Sequence, residues 1–254
     1  MKLKWFGTAA ISIETANGRI LVDPFIPLCG STVDTSVSDY SGYDNIIITH
    51  AHFDHIGSIP EIICHGERSI YGTQAVHDAL RKLGIPEAYI HIIAPGSKLT
   101  FGGIGVTAYK GRHISYDGKT VVSTLFNRRV REYSYNCVQI DQFNRICQEK
   151  KETISYLVEA DGKRVFILGS LGLDSDTTYP QGVDSLVLPY QGASDLLTPA
   201  LAAVERLQPK AVLLDHYDDT FPPVSNAIST ADIEKALRGR IECRKLEYHN
   251  EIVV

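Results

Sequence analysis

Short apolar runs separated by polar turns fill the first half of the chain, and the period of each run predicts its element. "WFGTAAISIET" and "RILVDPF" read as strands of a hairpin around "ANG", where Asn17-Gly18 suits a tight turn with positive φ. "NIIIT" is a continuous apolar run, as a strand covered on both faces requires. "SIYGT" is another short strand. Val76, Leu80 and Leu83 then recur at helical spacing in "QAVHDALRKLG", which stops at Gly84 before Pro86. "AYIHIIAPGSKLTFGGIGVTAYKG" reads as strands and turns. The glycines of "FGGIGV" have no helix after them, which predicts a turn and not a phosphate cradle.

From about 114 to 150 the rhythm breaks. This stretch is rich in Arg, Tyr and Asn and reads as an inserted segment within one domain spanning 1–254. Strands resume in "TISYLVEADGKRVFILGS", with Asp161-Gly162 at a hairpin turn. "VDSLVLPY" and "KAVLLDH" are apolar strands that end in polar residues. Between them Thr198 is expected to cap a helix, with Pro199 at its first position, running through "ALAAVERLQ". A last helix, "ADIEKALRG", and a closing strand finish the chain. Strands mixed with helices throughout give an α/β class.

With 254 residues, 44% of them hydrophobic, the chain can bury a substantial core. A net charge of −5 argues against bulk nucleic-acid binding. No run approaches the roughly 18 apolar residues of a membrane span. The N-terminal apolar run is interrupted by Glu14 and lacks a signal-peptide core, so a cytoplasmic location is expected. Five widely spaced cysteines without a CxxC pair read as reduced thiols.

The chemistry concentrates in "IIITHAHFDHIG", where His50, His52, Asp54 and His55 crowd just past a buried strand. His50 and His52 differ by two and point the same way in an extended segment. Asp54 and His55, past the bend, reach a neighbouring position, which suits two adjacent metal sites better than one. Imidazole and carboxylate are ligands of zinc, iron or manganese at catalytic sites. A lone histidine is usually a satisfied core or surface residue, whereas this density is not.

"THAHFDH" resembles the signature of the metallo-β-lactamase superfamily, and the resemblance extends over most of the chain. Asp23 in "ILVDPF", His113 in "YKGRH" and His216 in "LLDHYDD" fall where that family places its further site residues. The resemblance implies a four-layer αββα sandwich. It implies one metal site formed by His50, His52 and His113, another formed by Asp54, His55 and His216, and Asp23 holding the histidine loop by hydrogen bonds. "VLPYQG" and "LLDHYDDTFPP" look most like the branch containing L-ascorbate 6-phosphate lactonase. One departure stands out: in "VFILGSLGLDSD", Ser170 occupies the position of the family's metal-bridging aspartate. Three outcomes stay open: one metal, two metals bridged by hydroxide alone, or a replacement carboxylate from Asp174 or Asp176. A single firmly held metal plus a weaker second is the expectation. A protein that only binds its ligand is a further alternative.

The resemblance implies a metal-dependent hydrolase using Zn2+, with Mn2+ or Fe2+ as alternatives, one or two ions per chain. Asp54 would orient or deprotonate the attacking water, and Asp218 or Tyr217 would give a proton to the leaving group. Arg128, Arg129 and Arg131, near Tyr133 and Tyr135, would favour an anionic small molecule if the insertion overhangs the metal edge. Tyr190 and Gln191 end a strand near the site and would touch substrate. A nuclease or phosphodiesterase of the same fold is the alternative within enzymes. A homo-oligomer is expected by analogy. His65, His77, His91 and His249 match no motif.

Overall fold

The computed structural model describes residues 1–114 and 128–254. Fifteen strands among these residues form two mixed sheets. The first contains β1 (Lys2–Gly7), β2 (Ala10–Glu14), β3 (Arg19–Val22), β4 (Asn45–Ile47), β5 (Ser69–Gly72), β6 (Ile90–Ile92) and β15 (Glu251–Val253), in the order β15-β1-β2-β3-β4-β5-β6. Its β3 to β6 run parallel and the rest antiparallel. The second contains β7 (Lys98–Phe101), β8 (Ile104–Arg112), β9 (Ile154–Ala160), β10 (Lys163–Ile167), β11 (Gly172–Leu173), β12 (Ser185–Pro189), β13 (Ala211–Asp215) and β14 (Glu242–Lys245). Their order is β11-β8-β9-β10-β12-β13-β14, with β7 hairpinned onto β8 and parallel pairing from β10 to β14.

The period-2 alternation of the strands builds the layers. Ile11, Ile13, Ile20 and Val22 turn inward and meet Ile104, Val106, Tyr156, Val158 and Val165 of the second sheet. Ala10 and Leu21 face outward, where Ala75, Val76, Ala79 and Leu80 of the helix Gln74–Lys82 cover them together with the short helices Phe53–Ile56 and Ile59–Ile63. On the far side, Phe166, Leu186, Leu188, Val212 and Leu214 lie under the helices Leu197–Leu207 and Ala231–Leu237. This is the α/β, four-layer αββα arrangement. No helix among the described residues is long and apolar enough to cross a membrane.

Three local expectations need correction. "WFGTAAISIET" is not one strand: Gly7 (φ 104°) and Thr8 (φ 51°) turn the chain between β1 and β2. Neither Asn17 nor Gly18 has positive φ. Gly18 is required for close approach instead, because a Cβ there would lie 2.3 Å from the Phe101 carbonyl oxygen. Asp161 and Gly162 do take positive φ, 52° and 70°. Thr198 lies inside its helix and does not cap it: the Asp195 carboxylate accepts the Thr198 N–H at 3.1 Å. Of the expected insertion, residues 115–127 lie outside the described residues. The remainder forms the helices Arg129–Glu132 and Ser134–Asn144, and Ile140 and Cys147 join the core beneath the first sheet.

The ends of β4, β8, β10, β12 and β13 lead into His50, His113, Ser170, Gln191 and His216, all of which line one cavity. Loops at strand ends on a stiff sandwich are where side chains can converge without their own strands colliding.

Candidate metal centre

The histidine loop is held from both sheets. The Ile154 N–H donates to the Thr49 carbonyl at 2.8 Å, and the Tyr156 hydroxyl donates to the Ile48 carbonyl at 2.6 Å. Gly169 packs against the same loop; a Cβ there would sit 2.8 Å from Thr49 Cβ. Asp23, buried at the end of β3, lies beneath it. Its Oδ1 accepts the Thr49 N–H at 2.8 Å, and its Oδ2 accepts both the Thr49 hydroxyl and His55 Nδ1–H, the latter at 2.8 Å. Since the Thr49 hydroxyl gives its proton to Asp23, its oxygen is left to accept His50 Nδ1–H at 3.0 Å. One carboxylate thereby sets the tautomer of two imidazoles and frees Nε2 on each. His113 is fixed in the same sense, with Nδ1–H donating to the Ile114 carbonyl at 2.6 Å.

Two clusters result: His50, His52 and His113, and Asp54, His55 and His216, each with ligand atoms within 4.8 Å of one another. They adjoin, with the His50 and His55 ring centroids 3.9 Å apart. Within the first, His50 Nε2 and His52 Nδ1 are 3.1 Å apart. Within the second, Asp54 Oδ2 is 3.2 Å from His216 Nε2 and 3.7 Å from His55 Nε2. Two nitrogens about 2.05 Å from a tetrahedral zinc ion stand about 3.3 Å apart, so these spacings fit a shared cation. His216 takes a left-handed backbone (φ 53°), and its buried Nδ1 has no hydrogen-bond partner.

Charge agrees with the geometry. Burial pushes His52 down to about 4 and also lowers His50 and His113, so all three are neutral and ligand-ready at neutral pH. Burial opposes ionisation of Asp54, but His55 and His216 win and hold it well below the usual carboxylate range. Asp54 in turn raises His216 to about 8, against the effect of burial. A cation in the second cluster would replace that proton as the partner of Asp54. The residues present fit a divalent metal at either cluster.

The cavity above the clusters has a volume of about 880 Å³. Ser170 lines it, its hydroxyl accepting the Ile114 N–H at 3.1 Å, and places no carboxylate between the clusters. Neither Asp174 nor Asp176 reaches the cavity; Asp174 pairs with Lys110 at 2.8 Å. Tyr217 and Asp218 do not line it either. The Tyr217 hydroxyl donates to the Leu246 carbonyl, and Asp218 Oδ2 accepts from the Thr8 N–H at 2.7 Å and the Tyr248 hydroxyl at 3.1 Å. Neither is placed to give a proton to a leaving group there. Arg128, Arg129 and Arg131 are likewise outside, with Arg129 2.6 Å from Asp219 and stacked over Tyr133. Tyr135 is exposed and Tyr190 buried away from the cavity, whereas Gln191 lines it and donates to the Asp218 and Asn226 carbonyls. Sequence reasoning missed Gln148, Glu149 and Lys150, which line the cavity from the end of the insertion, and Phe221, Val224 and Ile228, which line it from the segment after β13. In the chain they look like an ordinary charged tail and an ordinary loop.

Residues 18–217 match the family model described as a beta-lactamase superfamily domain. A "metal-dependent hydrolase" from Staphylococcus aureus is 25% identical over 249 residues, covering 92% of this chain and 96% of that protein. Another from Polynucleobacter asymbioticus is 26% identical over 250 residues, covering 94% and 80%. Among solved structures, a metallo hydrolase from the archaeon Ignicoccus hospitalis superposes with a TM-score of 0.67 at 21% identity, covering 99% of this chain and 97% of that one. By the span of the family match, the chain belongs to the beta-lactamase superfamily of domains.

Proposed function

We propose that the protein is a metal-dependent hydrolase acting on a small ester, lactone or phosphoester. The observation that supports it most is the convergence of His50, His52 and His113, and of Asp54, His55 and His216, on one wall of a cavity large enough for a small molecule. The names of the Staphylococcus and Polynucleobacter relatives agree with this reading.

The two clusters would hold the ions, with Zn2+ favoured by a donor set of five imidazoles and one carboxylate. When bound, a divalent cation supplies Lewis acidity, lowering the pKa of a water to about 7 and drawing charge from a scissile carbonyl or phosphoryl group. The chain's own residues do the rest. Asp23 and Thr49 orient His50 and His55. Asp54, ionised at neutral pH, is a ligand and an acceptor for a water proton, not a donor. Gln191 is anchored by the Asp218 and Asn226 carbonyls and presents a fixed edge of the cavity. With a hydroxyl at Ser170, where the resemblance leads one to expect a bridging carboxylate, one ion would be held firmly and a second more weakly.

A ligand-binding protein without turnover is the second reading, favoured by Ser170. Elemental analysis of purified protein, with a panel of lactones, phosphodiesters and oligonucleotides, separates the two. At least one transition metal per chain and turnover lost in His52→Ala are expected. Metal bound with no turnover across the panel would leave the binding reading.

A further inference from the structure

The segment after β13 supplies part of the cavity wall, and it is short of hydrogen-bond donors. Phe221, Val224 and Ile228 line the space. Pro222 and Pro223 between them have no N–H to give. Buried carbonyls in such a stretch need donors from elsewhere. The Pro222 carbonyl finds one in Asn136, on the insertion's helix Ser134–Asn144. Asn136 is 1% exposed. Its Nδ2 donates to the Pro222 carbonyl at 2.7 Å and to the Cys29 carbonyl at 2.8 Å, which uses both amide hydrogens. One side chain thereby joins the insertion, the loop after β3 and the strap 219–228.

Arg129, also from the insertion, holds both ends of the same strap. Its Nη2 is 2.6 Å from Asp219 Oδ2, and its Nη1 donates to Asn226 Oδ1 at 3.2 Å. Inside the strap, Asp219 Oδ1 accepts the Ser225 hydroxyl at 2.7 Å, and Ser225 Oγ accepts the Phe221 N–H at 2.8 Å. Phe221 stands edge-on to Phe53, with ring centroids 5.1 Å apart, and to Phe25 at 5.9 Å. Phe53 lies between His52 and Asp54 in the chain and lines the cavity with Phe221. The insertion has its own anchor, since Ile140, one turn on from Asn136, and Cys147 are buried in the core beneath the first sheet.

We infer that the insertion braces this strap: Asn136 and Arg129 are positioning residues that hold 219–228 against the cavity and so fix the apolar wall that a substrate meets. The arginine that suggested a substrate contact in the chain acts through Asp219 and Asn226 instead. The brace itself is independent of the hydrolase reading; its effect on substrate rests on that reading.

Hydrogen–deuterium exchange of the full chain reads the strap directly. Asn136→Leu keeps roughly the side-chain volume and loses both donors, and Arg129→Met removes the guanidinium. Peptides spanning 219–228 should exchange about three- to tenfold faster in each variant, while those of β9 and β12 keep the wild-type rate. Arg129 is partly exposed, so its variant carries the test should Asn136→Leu fold poorly. The second readout is turnover of 4-nitrophenyl butyrate by metal-loaded protein. KM should rise about three- to tenfold in the variants at unchanged metal content, with kcat altered less than about twofold. Exchange at 219–228 within about twofold of wild type in both variants, or equal acceleration in β9 and β12, overturns the inference. A faster-exchanging strap with unchanged KM overturns it as well. If the ester is not turned over, that failure belongs to the hydrolase reading, and the exchange pattern alone decides the brace.

Discussion

Asp23 is buried beside the histidine loop, and replacing it separates two effects. In Asp23→Ala the Thr49 N–H and His55 Nδ1–H lose their acceptor, and the Thr49 hydroxyl loses a third bond; all three groups are buried. An orphaned buried donor costs about 1–3 kcal/mol, and the hydroxyl can rotate, so a destabilisation of about 2–5 kcal/mol is expected for the metal-free protein. Asp23→Asn is gentler on folding. Its amide oxygen can still accept the Thr49 N–H, leaving about 1–2 kcal/mol from the face that meets His55. That face carries N–H groups, and His55 can satisfy one only by moving its own proton from Nδ1 to Nε2. His55 Nε2 is the atom directed at Asp54 Oδ2, 3.7 Å away, and once protonated it cannot ligate. Metal affinity at the second cluster should therefore fall about 10–100-fold in both variants, although their stabilities differ. Urea denaturation of the metal-free proteins gives the first quantity, and competition against a chromophoric chelator gives the second. An Asp23→Asn protein that binds both ions within threefold of wild type would refute the tautomer account.

In protein equilibrated with excess metal, His113→Ala should lose the ion of the first cluster while keeping that of Asp54, His55 and His216, measured by elemental analysis against a matched buffer blank. Ser170→Asp restores a carboxylate between the clusters and should raise occupancy of the second site; unchanged stoichiometry would count against the mononuclear preference. In the metal-free protein, His52 and His216 should titrate on opposite sides of an ordinary histidine. Burial puts the first near about 4, and Asp54 holds the second near about 8. Proton loss from His216 as pH rises from about 6.5 past 8 then costs stability, and imidazole NMR shifts that put both midpoints near 6.5 would refute this. Burial pushes the Cys147 thiol up to about 12, so it stays protonated at pH 8, and iodoacetamide should label exposed Cys29 and Cys64 well before it.

Much of this molecule is legible from local pattern. The strands around the histidine loop, the Gln74–Lys82 helix and the Asp161-Gly162 turn follow from side-chain periodicity and backbone preference, which act over a few residues. The density of imidazoles after β4 marks a metal site for the same reason: four potential ligands are brought together by the chain itself. Backbone conformation at Asn17-Gly18 was misread because contact with the Phe101–Gly102 turn, more than 80 positions away, demands the glycine. The helix begins earlier than Thr198-Pro199 suggests, at Leu197, and the Asp195 carboxylate takes the Thr198 N–H.

The substrate-facing wall is another matter. Arg129 could not be known to spend its charge on Asp219, 90 residues on, nor could Tyr217 be known to turn toward Leu246. Glu149 looks like part of a solvated tail until folding sets it in the same cavity as His52 and His113. The chain by itself determined most of the elements and the histidine-rich loop, because local sterics and burial encode them; the four-layer sandwich was implied by the resemblance to the metallo-β-lactamase superfamily and not by local pattern. Which charges face the reacting space, and hence which molecule is admitted, was decided only by the packing of distant segments, because charge complementarity depends on distances that neighbours along the chain do not set.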